Sequence, residues 1–369
     1  MKGASPRQPI RVLLVDDSPL ALEIVRRMLE HEPAISVCGT ARDGAEALAL
    51  IPRLLPDVVC TDLHMPGMGG LEFTREVMAL HPVPILVLSI AVQREHADTI
   101  FEMLDAGAVD IVAKPRGGLC EVSAGLAGEL VSKIKVAAGV VALRRRRRHA
   151  AVVPAALPQL AGGRFGLRPR IVGIAASTGG PQAIETVLRD LPRDFPLPVL
   201  CIQHIAEGFM EGLVQWLARS APISVCIAQD GHLPLPGTVY FAPDGMHLEL
   251  DAHGRLRCSP ELRGQLHRPS ADLALASLAR MHGRDAVGVV LTGMGRDGAA
   301  GLAEIAAAGG ATIAQDEETS VVFGMPGAAI ANGAARLVLP LGQIAPALVR
   351  LASGESPSQP GASGGGPAR

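Results

Sequence analysis

The stretch Val12-Leu13-Leu14-Val15-Asp16-Asp17 joins an apolar run to a pair of acids, and this pattern decides the fold of the first part of the chain. Ser18-Pro19 then predicts the start of a helix, with serine as the N-cap and proline in the first turn. Further strands are predicted at 35–40, 58–61, 85–88 and 109–112, with helical patterns between them. Such alternation is typical of a doubly wound parallel sheet, so we predict an α/β domain.

A second series of strands and helices begins at Arg170, with strands predicted at 171–175, 199–202 and 287–291. We therefore expect an α/β protein with two doubly wound parallel-sheet domains. The predicted organisation is a first domain at 1–125, a linker at 126–168, a second domain at 169–350 and a disordered tail at 351–369. The linker contains five consecutive arginines, Arg144 to Arg148, which form either a solvated run or a docking or phosphate-binding patch.

Composition argues against several classes of protein. The chain has 369 residues, of which 48% are hydrophobic, which is enough for two globular cores. The net charge of -2 and the aromatic content of 2% argue against nucleic acid as a partner. No apolar stretch is long enough to span a bilayer, so direct membrane insertion is not expected. The six cysteines are scattered without a Cys-x-x-Cys pair, which favours reduced thiols and a cytoplasmic location.

Residues suited to phosphate chemistry fall at the ends of the strands predicted for the first domain, where parallel sheets bind ligands: Asp16, Asp17, Asp62, Ser89 and Lys114. The three acids offer the oxygen ligands that Mg²⁺ prefers. Together with the metal, Lys114 and the Ser89 hydroxyl can neutralise a phosphoryl group transferred to Asp62. The alternative is that a strand-end acid caps a helix, as Asp17 could do for the helix that follows it.

The second domain contains the elements of nucleophilic acyl chemistry. Ser177 lies in Ala176-Ser177-Thr178-Gly179-Gly180-Pro181, a tight turn between a strand and a helix. A serine hydroxyl needs a base to take its proton and an acid to orient that base. His204 is the best-placed base, and Asp297 is the acid that would orient it. The glycines and the start of the next helix would favour a developing oxyanion.

Each of these motifs has another interpretation when it is taken alone. The Ser-Thr-Gly-Gly-Pro turn can also bind phosphate. Asp297 can also be the N-cap of a helix at Gly298–Ala308, and His204 can be a hydrogen-bonded structural histidine. The combination of serine, histidine and aspartate favours catalysis.

Over residues 9–125 the chain resembles the receiver domain of two-component response regulators. Met65-Pro66 and Lys114-Pro115 match the pattern of that family, as do the residues at the strand ends. The resemblance implies one role for each strand-end residue: Asp62 accepts the phosphoryl group, Asp16 and Asp17 bind the metal, Ser89 supplies the switch hydroxyl and Lys114 senses the phosphate.

Over residues 168–350 the chain resembles the catalytic domain of chemotaxis protein-glutamate methylesterases, the CheB family. The matching stretches are Ala176-Ser177-Thr178-Gly179-Gly180-Pro181, Gln203-His204, His267-Arg268-Pro269-Ser270, Thr292-Gly293-Met294-Gly295-Arg296-Asp297-Gly298 and Gly324-Met325-Pro326-Gly327. The resemblance implies Ser177 as nucleophile, His204 as base and Asp297 as orienting acid, with Thr178 and Met294 lining the oxyanion site.

The two resemblances together imply a hydrolase that phosphorylation activates. It is expected to demethylate glutamate methyl esters on chemoreceptors and to deamidate receptor glutamines, with the unphosphorylated receiver domain covering the catalytic cleft. The expected partners are methylated chemoreceptor domains and a chemotaxis-type histidine kinase. Mg²⁺ is expected for receiver phosphorylation, and no cofactor for ester hydrolysis. The alternative is a phosphorylation-controlled binding protein whose second domain is not catalytic.

Overall fold

The computed structural model describes residues 8–89, 97–114, 124–140, 168–261 and 267–354. The arginine run at 144–148 and the predicted disordered tail beyond residue 354 lie outside these residues. The chain forms two compact units. The first comprises residues 1–148 together with 177–182 and 204–216, and the second comprises 149–176, 183–203 and 217–369.

The first domain alternates strands and helices, as the sequence predicts. Its elements are β1 (Ile10–Val15), α1 (Pro19–Glu30), β2 (Ile35–Ala41), α2 (Gly44–Leu54), β3 (Val58–Asp62), α3 (Gly70–Leu80), β4 (Ile85–Ser89), α4 (Ala97–Ala106), β5 (Asp110–Ala113) and α5 (Ala124–Ala137). Within the described residues, these strands form a parallel sheet in the order β2-β1-β3-β4-β5. The predicted doubly wound sheet is confirmed.

Two helix starts in this domain follow from signals that are local in the sequence. The Ser18 hydroxyl accepts a hydrogen bond from the Ala21 amide at 3.2 Å, and Pro19 occupies the first position of α1. The Asp43 carboxylate accepts from the Glu46 amide at 2.8 Å and caps α2 in the same way. Each cap satisfies an amide that has no partner inside its own helix, and α1 begins where Ser18-Pro19 predicts.

Helix α5 lies in the region that the sequence analysis assigns to the linker. Its Leu130, Ile134 and Ala137 are buried in the same hydrophobic core as Val12 and Leu86 of the sheet. The first domain therefore extends beyond the predicted boundary at residue 125. The boundary differs because burial of this helix depends on contacts with the distant elements α1 and β4, which no local pattern reports.

The second domain is also α/β. Its elements are β6 (Ile171–Ala176), α6 (Gly180–Arg189), β7 (Val199–Gln203), α7 (Met210–Ser220), β8 (Ser224–Ile227), β9 (Thr238–Phe241), β10 (His247–Leu250), β11 (Leu256–Ser259), α8 (Ala271–His282), β12 (Ala286–Val290), α9 (Ala299–Ala307), β13 (Ala311–Gln315), α10 (Met325–Ala331), β14 (Leu337–Leu339) and α11 (Leu341–Ala352). Among the described residues, no helix has the length and apolar character needed to cross a membrane.

The sheet of the second domain is parallel, with the order β14-β13-β12-β6-β7-β9-β8 over the described residues, and β10 and β11 form a separate antiparallel pair. Strand β6 lies between β12 and β7, where Ala175 pairs with Val290 and Ala176 pairs with Gln203. The segments that follow β12, β6 and β7 therefore begin at one edge of the sheet, which is the edge where parallel sheets bind ligands.

Small residues allow α8 to pack closely on the sheet and on α9. A Cβ added at Gly173 of β6 would lie 2.5 Å from the Leu275 Cδ2 atom, and one at Gly301 of α9 would lie 2.6 Å from the Asp272 carbonyl oxygen. At Gly301 the close atom belongs to the backbone of α8 and cannot move aside, so glycine is required there, whereas at Gly173 leucine side chains would have to shift. The start of α8 is thereby held against the start of α9 near the carboxyl end of the sheet.

Candidate phosphorylation and active sites

The first domain brings the predicted phosphate-chemistry residues to one edge of its sheet. Asp16 follows β1, Asp62 ends β3 and Lys114 follows β5. The Lys114 Nζ atom lies 2.6 Å from Asp16 Oδ2 and 2.8 Å from Asp62 Oδ1. The Lys114 amide also donates to the carbonyl of buried Ser89, at 2.7 Å. The ends of β1, β3 and β5 thus supply one cluster of charged groups, and Ser89 lies at the neighbouring end of β4.

The environment of Asp62 raises the pKa of its carboxyl group above the ordinary value. Burial is the largest cause, and the nearby Asp16 charge acts in the same direction. The Lys114 ammonium opposes both effects, and the Leu63 amide, which donates to Asp62 Oδ1 at 2.7 Å, opposes them as well. Asp62 is therefore a carboxylate with weakened solvation and a close cation, Lys114, which suits a nucleophile towards phosphorus.

The acids of this cluster fit a divalent cation. Asp16, Asp17 and Asp62 each offer an oxygen atom, and these atoms lie within 4.8 Å of one another. Hard cations such as Mg²⁺ take carboxylate oxygens and keep several waters. The donor set and its spacing are consistent with the magnesium site expected from the sequence.

In the second site, Ser177 and His204 lie at the ends of two adjacent strands. Each follows directly after one member of the register pair Ala176 and Gln203. The chain turns sharply after Ser177, where the Gly180 amide donates to the Ser177 carbonyl at 2.7 Å. Gly179 has a φ of 73°, a conformation that glycine adopts without strain. The turn leads straight into α6, so backbone amides at the start of that helix lie next to the serine.

Thr178 is buried, and its hydroxyl has a charged acceptor, Asp110. Both residues belong to the first compact unit, which includes 177–182. The Thr178 Oγ1 atom donates to Asp110 Oδ2 at 2.8 Å. Asp110 is itself buried, accepts from the Ile111 amide at 2.8 Å and lies 3.2 Å from Lys133 Nζ. Asp110 is not among the predicted site residues, and its only signal in the sequence is an acid at the start of an otherwise apolar strand.

Asp297 is buried and accepts several hydrogen bonds at the start of α8. Its Oδ1 atom accepts from the Ser270 hydroxyl at 3.1 Å, from the Asp272 amide at 2.9 Å and from the Gly298 amide at 3.1 Å. Its Oδ2 atom accepts from the Ala271 amide at 2.7 Å. The helix dipole adds to these bonds in stabilising the carboxylate charge.

These bonds correct the alternative interpretation of Asp297. The sequence suggests Asp297 as the N-cap of the helix that follows it, but the N-cap of α9 is Gly298, which makes no side-chain cap. The amides that Asp297 satisfies at a helix start belong to α8, which lies earlier in the chain. The difference arises because the close packing of α8 against α9 brings a distant helix start to this carboxylate.

Two further residues of this site were not assigned roles by the sequence. Ser270 is the N-cap of α8, and its Oγ atom accepts from the Leu273 amide at 3.4 Å as well as donating to Asp297. His247 of β10 is fully buried, and its Nδ1 atom accepts from the Ser270 amide at 3.1 Å. Ser270 could have been noticed as the last residue of the His267-Arg268-Pro269-Ser270 motif, whereas His247 carried no signal.

The segment from Thr292 to Met294 precedes Asp297, and hydrogen bonds hold its first two residues while Met294 is exposed. The buried Gln315 side chain accepts from the Thr292 amide at 2.8 Å and donates to the Thr319 carbonyl at 2.8 Å. Gly293 donates to the Val322 carbonyl at 3.0 Å. Met294, by contrast, is 38% exposed. Its position permits contact with a substrate, while the residues before it keep the segment in place.

Comparison with known families agrees with this architecture. Residues 172–348 match the family described as CheB methylesterase, and residues 12–119 match the response regulator receiver domain. Each match coincides with one of the two parallel sheets.

Curated relatives extend over nearly the whole chain. A protein-glutamate methylesterase/protein-glutamine glutaminase of Nitrosospira multiformis is 40% identical over 96% of this chain and 100% of that protein. Proteins of the same description from Myxococcus xanthus and Anaeromyxobacter dehalogenans are 42% and 44% identical, over 99% and 95% of this chain and 100% and 99% of their own lengths.

Solved structures are similar to each domain separately. The CheB methylesterase catalytic domain of Thermotoga maritima is 38% identical, with a TM-score of 0.48, and covers 50% of this chain and 98% of its own. The response regulator domain of Thermotoga maritima CheB is 35% identical, with a TM-score of 0.32, and covers 36% of this chain and 99% of its own.

Proposed function

The chain belongs to the CheB methylesterase family and carries an N-terminal receiver domain, and on this basis we propose that it hydrolyses glutamate methyl esters on chemoreceptors under the control of phosphorylation. Its relatives are also described as protein-glutamine glutaminases, so we propose that the same acyl chemistry deamidates glutamine. The observation that carries the proposal is the placement of Ser177 and His204 directly after paired positions of adjacent strands.

Ser177 is the nucleophile of the proposed reaction. Its Oγ atom forms a bond to the γ-carbonyl carbon of the ester while His204 takes the hydroxyl proton. His204 then gives this proton to the departing methoxide, and methanol leaves. A water molecule attacks the acyl-enzyme, His204 takes the proton of that water and returns it to Ser177, and glutamate is released.

Asp297 is the orienting acid, and Thr178 and Met294 line the oxyanion site. A carboxylate beside the imidazole favours the tautomer that accepts a proton and stabilises the imidazolium that forms. The glycine turn at Gly179-Gly180 and the start of α6 direct backbone amides towards the position where the oxyanion develops. Removal of one such donor typically lowers kcat by about 10²- to 10³-fold.

Asp62 is the phospho-acceptor of the proposed switch. Its carboxylate forms a bond to phosphorus, and the donor's leaving group departs. Asp16, Asp17 and Asp62 are the residues that would hold Mg²⁺, which when bound offsets negative charge on the phosphoryl oxygens. Lys114 contacts Asp16 and Asp62 before phosphorylation, so a phosphoryl group on Asp62 would redistribute these ion pairs. Ser89 supplies the hydroxyl at the neighbouring strand end.

The partners and the compartment follow from the same chemistry. We assign methylated cytoplasmic domains of chemoreceptors as the substrate, a chemotaxis-type histidine kinase as the phosphodonor and the cytoplasm as the location. The relatives' descriptions and the receiver match support this assignment.

Methanol release from methylated receptor membranes tests the proposal. The purified full chain is assayed with and without a small-molecule phosphodonor and Mg²⁺. We expect release in both conditions and faster release with the phosphodonor. A folded protein that releases no methanol in either condition would instead support a phosphorylation-controlled binding protein.

A further inference from the structure

We propose that Ser270 and His247 are positioning residues for ester hydrolysis, because together they fix the start of α8 that holds the Asp297 carboxylate. The groups that donate to this carboxylate, called the cradle below, are the Ser270 hydroxyl and the amides of Ala271, Asp272 and Gly298. The proposal rests on the proposed function, in which Asp297 orients His204. It adds two residues that do not touch the substrate and that act through Asp297.

The cradle restrains the carboxylate on both of its oxygen atoms. Three donors contact Oδ1 and the Ala271 amide contacts Oδ2. A rotation of the carboxylate plane would lengthen bonds on both sides at once. The orientation of Asp297 is therefore set by α8, and any residue that sets the start of α8 also sets the direction in which Asp297 presents its charge.

Ser270 has two roles at this helix start, and they can be separated. Its oxygen accepts from the Leu273 amide as an N-cap, and its proton is donated to Asp297 Oδ1. The cap stabilises the helix, whereas the donated bond acts on the carboxylate. Hydrogen bonds to charged acceptors are stronger than neutral ones, so the donated bond dominates the effect on Asp297.

His247 fixes the backbone that carries this serine. Its Nδ1 atom accepts from the Ser270 amide, so in the neutral ring the proton resides on Nε2. The ring is fully buried on β10, which leaves it little freedom to move. β10 therefore determines where the N-cap residue lies, and through it where the Ser270 hydroxyl points.

Substitutions at Ser270 separate the two roles. Glycine is tolerated at N-caps but lacks the hydroxyl, so Ser270→Gly preserves the helix start better than Ser270→Ala. We expect both variants of the full chain to lower kcat for methanol release about tenfold, with KM changed less than about twofold. Ser270→Thr keeps the hydroxyl and should retain kcat within about threefold of wild type.

A second serine of the same helix is the control. Ser277 is buried in α8, donates to the Ala274 carbonyl at 2.6 Å and accepts from the Leu250 amide at 2.9 Å. Its contacts do not involve Asp297, and its bond to β10 lies at the opposite end of that strand from His247, so Ser277→Ala should weaken folding without changing kcat. An equal loss of kcat in Ser277→Ala and Ser270→Gly would mean that α8 matters only for stability, and it would overturn the proposal.

A pair of substitutions tests His247. Asparagine places an amide oxygen near the position of Nδ1, whereas glutamine places it near Nε2. His247→Asn should keep kcat within about threefold of wild type, and His247→Gln should lose about tenfold. Wild-type kcat in both Ser270→Gly and His247→Gln would refute the positioning role. An inactive but folded wild type would refute the proposed function itself, so the two failures are distinguishable.

Discussion

Asp297 and Asp272 form reciprocal hydrogen bonds between two helix starts: Asp297 accepts from α8, and Asp272 accepts from α9. Asp297, which precedes α9, accepts from the Ala271 and Asp272 amides of α8. Asp272, which lies in α8, accepts from the Gly301 amide of α9 at 2.8 Å. Two helices that are separate in the chain are thereby locked at their amino ends, beside the edge of the sheet where Ser177 and His204 begin their loops.

This relationship predicts an unusual dependence of stability on pH. Burial, with the neighbouring Asp297 charge, raises the pKa of Asp272 above its ordinary value. The folded state therefore holds the Asp272 proton more tightly than the unfolded state, and ionisation of Asp272 costs stability as the pH rises through the raised pKa. Asp272→Asn keeps an acceptor for Gly301 and removes the charge. It should gain stability relative to wild type as the pH rises above the ordinary aspartate pKa, by less than about 1 kcal/mol after solvent screening.

Urea unfolding at several pH values measures this gain. Asp251→Asn provides a control of opposite sign, because hydrogen bonds from the Arg255 and His253 amides lower the pKa of Asp251. The charged form of Asp251 stabilises the folded state above the ordinary aspartate pKa, so its loss should not stabilise the protein at neutral pH. A gain for Asp251→Asn equal to that of Asp272→Asn would contradict the explanation.

Close packing of α8 and α9 predicts that Gly301→Ala is destabilising. A methyl group there would meet the Asp272 carbonyl at 2.6 Å and the Leu275 Cβ at 2.8 Å. The resulting overpacking should cost about 1 to 3 kcal/mol, more than the helix-propensity gain of alanine over glycine. Gly342→Ala in α11 is the matched control, since nothing lies within 4 Å of its added Cβ. Thermal unfolding should show a loss for Gly301→Ala and no loss for Gly342→Ala.

Loss of the Ser177 hydroxyl should abolish ester hydrolysis while the fold is preserved. Removal of a serine nucleophile costs on the order of 10⁶ in kcat in a serine protease. Methanol release from methylated receptor membranes measures the loss for Ser177→Ala. The exposed Ser220, at the end of α7, provides a control for the same change of residue type. Substantial methanol release by a folded Ser177→Ala protein would exclude Ser177 as the nucleophile.

Asp62→Ala should remove the response to a phosphodonor and leave basal hydrolysis in place. Asp62 belongs to the acid cluster of the first sheet, whereas Ser177 follows a strand of the second. Asp57→Ala is a suitable control, because Asp57 precedes the same strand at its other end and accepts from the Arg11 amide at 2.7 Å. Stimulation of methanol release is compared with and without phosphodonor and Mg²⁺. Equal stimulation of Asp62→Ala and wild type would exclude Asp62 from the switch.

The raised pKa of Asp62 also predicts how phosphorylation depends on pH. The nucleophile must be ionised, and burial raises its pKa while Lys114 lowers it. Phosphorylation by a small-molecule donor should therefore slow as the pH falls towards the raised pKa. Removal of the cation in Lys114→Gln should move this slowing to higher pH. An unchanged pH profile in the variant, measured by phosphoprotein formation, would show that Lys114 does not tune Asp62.

Local signals in the sequence predicted the local features of the first domain. The apolar strand that ends at Val15, the cap at Ser18 and the acids at the strand ends were predictable because each depends on residues within a few positions of one another. The membership of α5 in the first core was not, since its burial requires strands more than forty residues away, such as β4.

The sequence by itself determined the class of both sheets and the chemical groups offered at their edges, because alternation of strands and helices places strand-end residues at one edge whatever the side-chain details. Only the tertiary structure decided how Asp297 is held. Its partners Ser270, Ala271 and Asp272 precede it by 27, 26 and 25 residues. No local pattern encodes such a distance, since it depends on the close packing of α8 against α9, which glycine at 301 permits.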